Sequence, residues 1–223
     1  DKAPAVVCIH GHGGNRRIVY EDASPYRGFA RVLAENGYVT ISTDVGQHKV
    51  CEEGRTLMGE RLWDVMRCVD YLTTREEVDA GRIGCGGLSL GGEMAMWLGA
   101  MDTRIKGKVS SGFLTTVKNM RQGHCPCWNF PGLVENFDFA DIYSLIAPRY
   151  LQCQNGRLER APGGFPVSIA RKAMAEIKEC HKVLGKADGA TLVVHPAGHI
   201  FDVPSAMKLF DKVLENRQVK EKR

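Results

Sequence analysis

The 223-residue chain lacks the features that would commit it to a membrane, to nucleic acid or to a disulfide scaffold. No apolar run approaches the roughly 18 residues needed to span a bilayer, and no stretch has the build of a signal peptide. The chain opens at Asp1 and not at Met, which suits a processed or trimmed precursor, so the sequence leaves the compartment open. The formal net charge is only +4, and the single basic cluster, "RQVKEKR" at the end, reads as a frayed, solvated helix terminus. Without a basic stripe interleaved with aromatics there is no nucleic-acid footprint. No internal repeat or low-complexity linker divides the chain, which reads as one domain over 1–223. The eight cysteines are not spaced as a disulfide framework. Cys8, Cys85 and Cys153 lie in apolar runs, where a thiol acts as a small hydrophobe. Cys125 and Cys127 form Cys-Pro-Cys beside His124, but a zinc site ordinarily uses a CxxC-type pair with partners. The sequence therefore assigns no metal and no cofactor, and reads the pair as loop packing or a disulfide.

With 43% hydrophobic and 25% charged residues, the composition is that of an ordinary globular protein. A chain of this length buries a core without a metal or disulfide to support it. Six short apolar runs read as buried strands: "APAVVCIH", "YVTISTD", "GRIGCGG", "IKGKVSSG", "PRYLQCQNG" and "ATLVVHP". Between and after them lie segments with helical spacing: "RGFARVLAENGY", "GERLWDVMRCVDYLTTR", "SLGGEMAMWLGAM", "SIARKAMAEIKECHKVLG" and "VPSAMKLFDKVLENR". Buried strands alternating with helices imply an α/β fold, a mostly parallel sheet covered on both faces. One stretch, 112–140, is long and irregular; it follows the fourth strand and is read as an inserted loop over the carboxyl edge of the sheet, where such sheets bind ligands.

The chemistry centres on "GCGGLSLGGEM". Gly87-Leu88-Ser89-Leu90-Gly91 is G-x-S-x-G between a strand and a helix, the setting of a nucleophile elbow. A serine needs a base. His199, in the "HPAGHIF" loop after the last strand, is the candidate. His195 reads as a packed strand-end residue, His181 as solvated on a charged helix face, and His48 and His124 as cleft-lining. The base needs an orienting carboxylate, and Glu159 is the one acid in the turn "NGRLERAPGGFP", with Asp138 and Asp141 in the inserted loop as fallbacks. "HGHGGN" after the first strand supplies small residues for an oxyanion hole. The donors are assigned to the N–H groups of Leu90 and His12, with Gly13 as the alternative to His12.

These motifs resemble the α/β-hydrolase superfamily, and more closely its acetyl xylan esterase and dienelactone hydrolase-like branch. The likeness is carried by "HGHGG", "GRIGCGGLSLGGEMAMWLGAMDTRI", "HCPCWNFPGL", "DIYSLIAPR" and "AGHIF". It implies an α/β-hydrolase fold, shortened at the N-terminus, with its nucleophile at Ser89 and its histidine at His199. The family acid follows a G-x-x-D-x-x-F-P pattern; here Glu159 replaces the Asp, and "RAPGG" intervenes before Phe165-Pro166. The family also has strands before the "HGHGG" strand, so this chain's first strand is expected as an exposed edge open to homo-oligomerisation. The implied activity is hydrolysis of small acyl esters, with small-molecule or carbohydrate ester substrates, and no nucleic-acid or membrane partner. His124, Trp128 and Phe130 are candidate substrate-binding residues. Two alternatives stand beside it: a prolyl oligopeptidase-type peptidase, and a catalytically inactive binding module of the same fold.

Overall fold

The alternation within the first strand decides how the sheet is covered. In β1 (Ala3–Ile9), every residue after Ala3 is buried. Ala5, Val7 and Ile9 join one apolar cluster, while Val6 and Cys8 point into another. Successive side chains leave a strand on opposite sides, so two cores, one per face, are written into seven residues. The computed structural model describes residues 2–214; the basic cluster at the end of the chain lies outside them.

The other strands are β2 (Val39–Ile41), β3 (Val78–Leu88), β4 (Ile105–Ser111), β5 (Tyr150–Gly156) and β6 (Ala190–His195). They form one sheet in the order β2-β1-β3-β4-β5-β6, with every pair parallel. Each of the six apolar runs thus becomes a strand. "YVTISTD" contributes only three strand residues, because β2 is an edge and pairs with β1 alone. The edge expected at the chain's start is accordingly elsewhere: β1 is an interior strand between β2 and β3.

Two helices, α1 (Phe29–Glu35) and α8 (Val203–Val213), bring Phe29, Leu33 and Phe210 to the face that holds Val6 and Cys8. The opposite face is covered by α2 (Leu57–Thr74), α3 (Leu90–Met101) and α7 (Val167–Val183), through residues such as Val65, Met94 and Ile177. α3 is buried from Leu90 to Gly99, as its nearly uncharged sequence requires. The connection from β4 to β5 carries three short helices, α4 (Val117–Met120), α5 (Leu133–Asn136) and α6 (Phe139–Ser144). In α7 the buried residues Ala170, Ala173, Met174, Ile177 and His181 recur at three and four residue steps. His181 is therefore fully buried rather than solvated, and desolvation lowers its pKa. No helix among the described residues is long and apolar enough to cross a membrane.

Strand order reverses between β1 and β3, since the chain runs outward to β2 and then returns across β1. Such a switch point opens a crevice at the carboxyl ends of the strands. The loops that follow β1, β3, β5 and β6 all leave from that end.

Candidate active site

Ser89 sits between β3 and α3 with φ 61° and ψ −124°, a conformation that L residues other than glycine rarely hold. Backbone bonds fix it there: Ser89 N–H donates to Ser111 O (2.9 Å), and Glu93 N–H donates to Ser89 O (2.9 Å). The glycine two positions on is required by close approach, because a Cβ on Gly91 would lie 2.1 Å from Ile9 O. Leu90 begins α3, and an N–H in the first turn has no partner within its own helix.

The loop after β1 lies across the same crevice. Buried His10 anchors it: Val45 N–H donates to its Nε2 (3.0 Å) while its Nδ1 contacts Gly11 O (2.8 Å). The Gly11 N–H is already committed to the Tyr26 hydroxyl. His12 follows and lines the cavity with Ser89. Loss of hydration, helped by the Arg61 cation, pushes its imidazole down to about 4, so its ring is neutral near pH 7. Tyr26 and the buried Arg61 are supports that the sequence motifs did not mark. Both lie outside the motif segments, and only the fold brings them in.

Glu159 and His199 meet although their strands end in separate loops. The two loops are stitched together by Arg157 N–H to His195 O (2.9 Å) and Leu158 N–H to Ala197 O (3.1 Å). Glu159 Oε2 then lies 3.1 Å from His199 Nδ1 and accepts Phe165 N–H at 3.0 Å. The carboxylate side chain is only 4% exposed, whereas the imidazole is 38% exposed and open to the cavity. Phe165 stacks on the His199 ring at 5.5 Å and 16°. The ring rests over Gly112, which has φ 57°; a Cβ there would come 2.6 Å from His199 Cε1. Gly112 immediately follows Ser111, the residue that holds Ser89 N–H, so the imidazole lies beside the serine turn. Ser89 and His199 line one cavity and share no direct hydrogen bond among the described residues. In such sites that bond commonly tightens only when substrate is present.

The fallback acids are used elsewhere. Asp138 caps α6 and accepts Val117 N–H, and Asp141 accepts Asp138 N–H in a reciprocal capping box. His195 is buried in β6.

Two cavities meet at Ser89. The larger, about 580 Å³, is lined by Glu159, Arg160, Phe165, His199 and His124. The smaller, about 50 Å³, reaches inward from Ser89 between Leu90, Glu93, Phe113, His124 and Trp128. Glu93 Oε1, His124 Nε2 and Trp128 Nε1 are buried there without a hydrogen-bond partner among the described residues. Burial pushes the Glu93 carboxyl up to about 8, against the opposing pull of Arg61, so it is mostly protonated at pH 7. His124 and Trp128 thus line the cavities. Phe130 does not: it packs against Trp97 at 5.8 Å.

Comparison with known proteins identifies the fold. A family model described as the alpha/beta hydrolase fold matches residues 4–221. A Bacillus subtilis (strain 168) protein named "Putative hydrolase YtaP" is 28% identical over 217 residues, covering 83% of this chain and 72% of its own. Among solved structures, "Methylesterase BT1017" superposes with a TM-score of 0.76 at 21% identity, covering 96% of this chain and 49% of that one. A Bacteroides fragilis protein named as a putative acetyl xylan esterase gives 0.70 at 20% identity, covering 87% and 60%. This chain therefore spans about half the length of the methylesterase. At these identities the two structures speak to the fold.

Proposed function

The chain belongs to the α/β hydrolase family, and from that premise we propose that it is a serine carboxylic-ester hydrolase acting on small acyl esters, of the kind carried by acetylated carbohydrates. One observation carries the reading: a serine held at φ 61° faces the same cavity as a histidine whose Nδ1 is bound by a buried glutamate.

In this reading Ser89 Oγ attacks the acyl carbon and its proton passes to His199 Nε2. Glu159 fixes the tautomer with the proton on Nδ1 and stabilises the imidazolium that forms. The carbonyl oxygen becomes an oxyanion held by the Leu90 and His12 N–H groups. The tetrahedral adduct collapses, the bond to the alcohol oxygen breaks, and the alcohol leaves with the proton from His199. Water then gives a proton to His199 and its oxygen to the acyl carbon; the carboxylic acid departs and Ser89 recovers its hydrogen. The inner cavity of about 50 Å³ suits an acetyl group and little more, while the outer groove has room for a sugar. The neighbours named as a methylesterase and an acetyl xylan esterase lend support to ester chemistry on the same fold.

A panel tests this: p-nitrophenyl acetate and butyrate, a feruloyl ester, a methyl uronate, acetylated xylo-oligosaccharide and an aminoacyl-arylamide, with Ser89→Ala as the blank. The acetyl esters should be turned over with kcat/KM at least about tenfold above butyrate, consistent with a pocket that rejects extra methylenes. Faster cleavage of the arylamide would favour a peptidase. A folded protein that cleaves none of them would leave only the binding-module reading.

A further inference from the structure

We propose that His12, His48, Cys125 and Cys127 form a tetrahedral zinc site that clamps the loop after β1 to the inserted segment between β4 and β5. The ligand atoms of these four residues all lie within 4.8 Å of one another. The edges of a tetrahedral site with two nitrogen and two sulfur ligands are about 3.3–3.8 Å, so the side chains close on an ion by shifts of about an ångström. His12 Nε2 is already 2.9 Å from Cys127 Sγ.

The surroundings are arranged as a ligand shell requires. His48 Nδ1 lies 2.9 Å from Gly46 O; donating its proton there leaves the Nε2 lone pair for the ion, the usual outer support of a metal-bound imidazole. Buried Arg61 directs Nη1 at Cys127 Sγ (3.4 Å), so one outer contact already orients this sulfur. All eight cysteines are free thiols in the structure, so the pair is not a disulfide. Two imidazoles and two thiolates are borderline and soft donors; they select zinc over the hard cations magnesium and calcium. On binding, the ion accepts four lone pairs and the two thiol protons leave to solvent, with no change in oxidation state.

Four protein ligands leave no open position, so the ion is structural. Its effect on catalysis is indirect and rests on the esterase reading: holding the His12 ring fixes the His12 N–H proposed to bind the oxyanion. Read from the sequence, Cys125 and Cys127 have only His124 beside them and no metal is assigned, because Cys-Pro-Cys finds its partners far away, His12 being 115 residues from Cys127.

The test uses the full chain with its thiols kept reduced. Cobalt(II) should give tetrahedral visible bands and a thiolate-to-cobalt absorption that saturate at one equivalent, and zinc should bleach both by displacement. Cys125→Ser and Cys127→Ser should each weaken the thiolate absorption, the double variant should lose it, and His48→Ala, at an exposed loop position, should weaken zinc binding at least tenfold. Cys180→Ser, at an exposed position of α7, should change nothing. Absence of a tetrahedral spectrum in the reduced protein would overturn the site, as would a spectrum that survives in the double cysteine variant. Because the readout is spectroscopic, hydrolysis without cobalt bands removes only the clamp, and bands without hydrolysis remove only the esterase reading.

Discussion

Ser89 is a non-glycine residue held at positive φ, a strain of about 1–3 kcal/mol that persists only where surrounding structure enforces it. Here the Ser111 carbonyl and the start of α3 enforce it. The glycines of "GCGGLSLGGEM" made the turn visible in the sequence, and the close approach of Gly91 to Ile9 explains one of them. Glu159 was legible as the single acid in its turn. Its hydrogen bond from Phe165 was not, because the extra residues before Phe165 disguise a turn in which Phe165 N–H returns to the carboxylate. Glu159→Gln tests the assignment. An amide can present its NH₂ to Nδ1 and so favour the wrong tautomer. We expect kcat to fall about 10²–10⁴-fold with KM changed only a few-fold. Turnover within a few-fold of the parent, measured on p-nitrophenyl acetate, would hand the role to another acid.

At the scale of elements, apolar runs identified the strands, and errors arose where neighbours decide. β2 shortened because it has one partner strand. His181 has charged neighbours in Glu179 and Lys182, yet the step of four from Ile177 puts it on the inner face of α7. β4 holds a clearer conflict between sequence and environment. Lys108 is fully buried in that strand, and its Nζ donates to Lys106 O at 3.5 Å. Desolvation, aided by Arg149, pushes it from 10.5 down to about 6. Between those values the unfolded chain binds a proton that the folded chain does not, so this residue makes stability rise with pH through that window and imposes a cost at pH 7. Lys108→Met keeps the stem and removes the amine. Urea unfolding should show it about 1–3 kcal/mol more stable at pH 7, with a smaller rise between pH 6 and pH 9. Equal slopes in both proteins would contradict a neutral buried amine.

For the whole molecule, a parallel sheet explains why residues 12, 89, 159 and 199 can be grouped from the sequence. Every loop that leaves a strand's carboxyl end opens on one side, so strand order alone brings them near one another. What strand order does not encode is contact between loops. The pairing of His12 with Cys127 and the small cavity beside Glu93 depend on how the inserted segment folds back, and the cover Phe165 gives His199 depends on how the loops after β5 and β6 meet. Covalent labelling tests Ser89 as the nucleophile. The folded protein is treated with a fluorophosphonate and its peptides are analysed by mass spectrometry. The expectation is one adduct per chain, on Ser89, and none in Ser89→Ala. A folded protein that stays unlabelled, or carries its adduct on another residue, would contradict it.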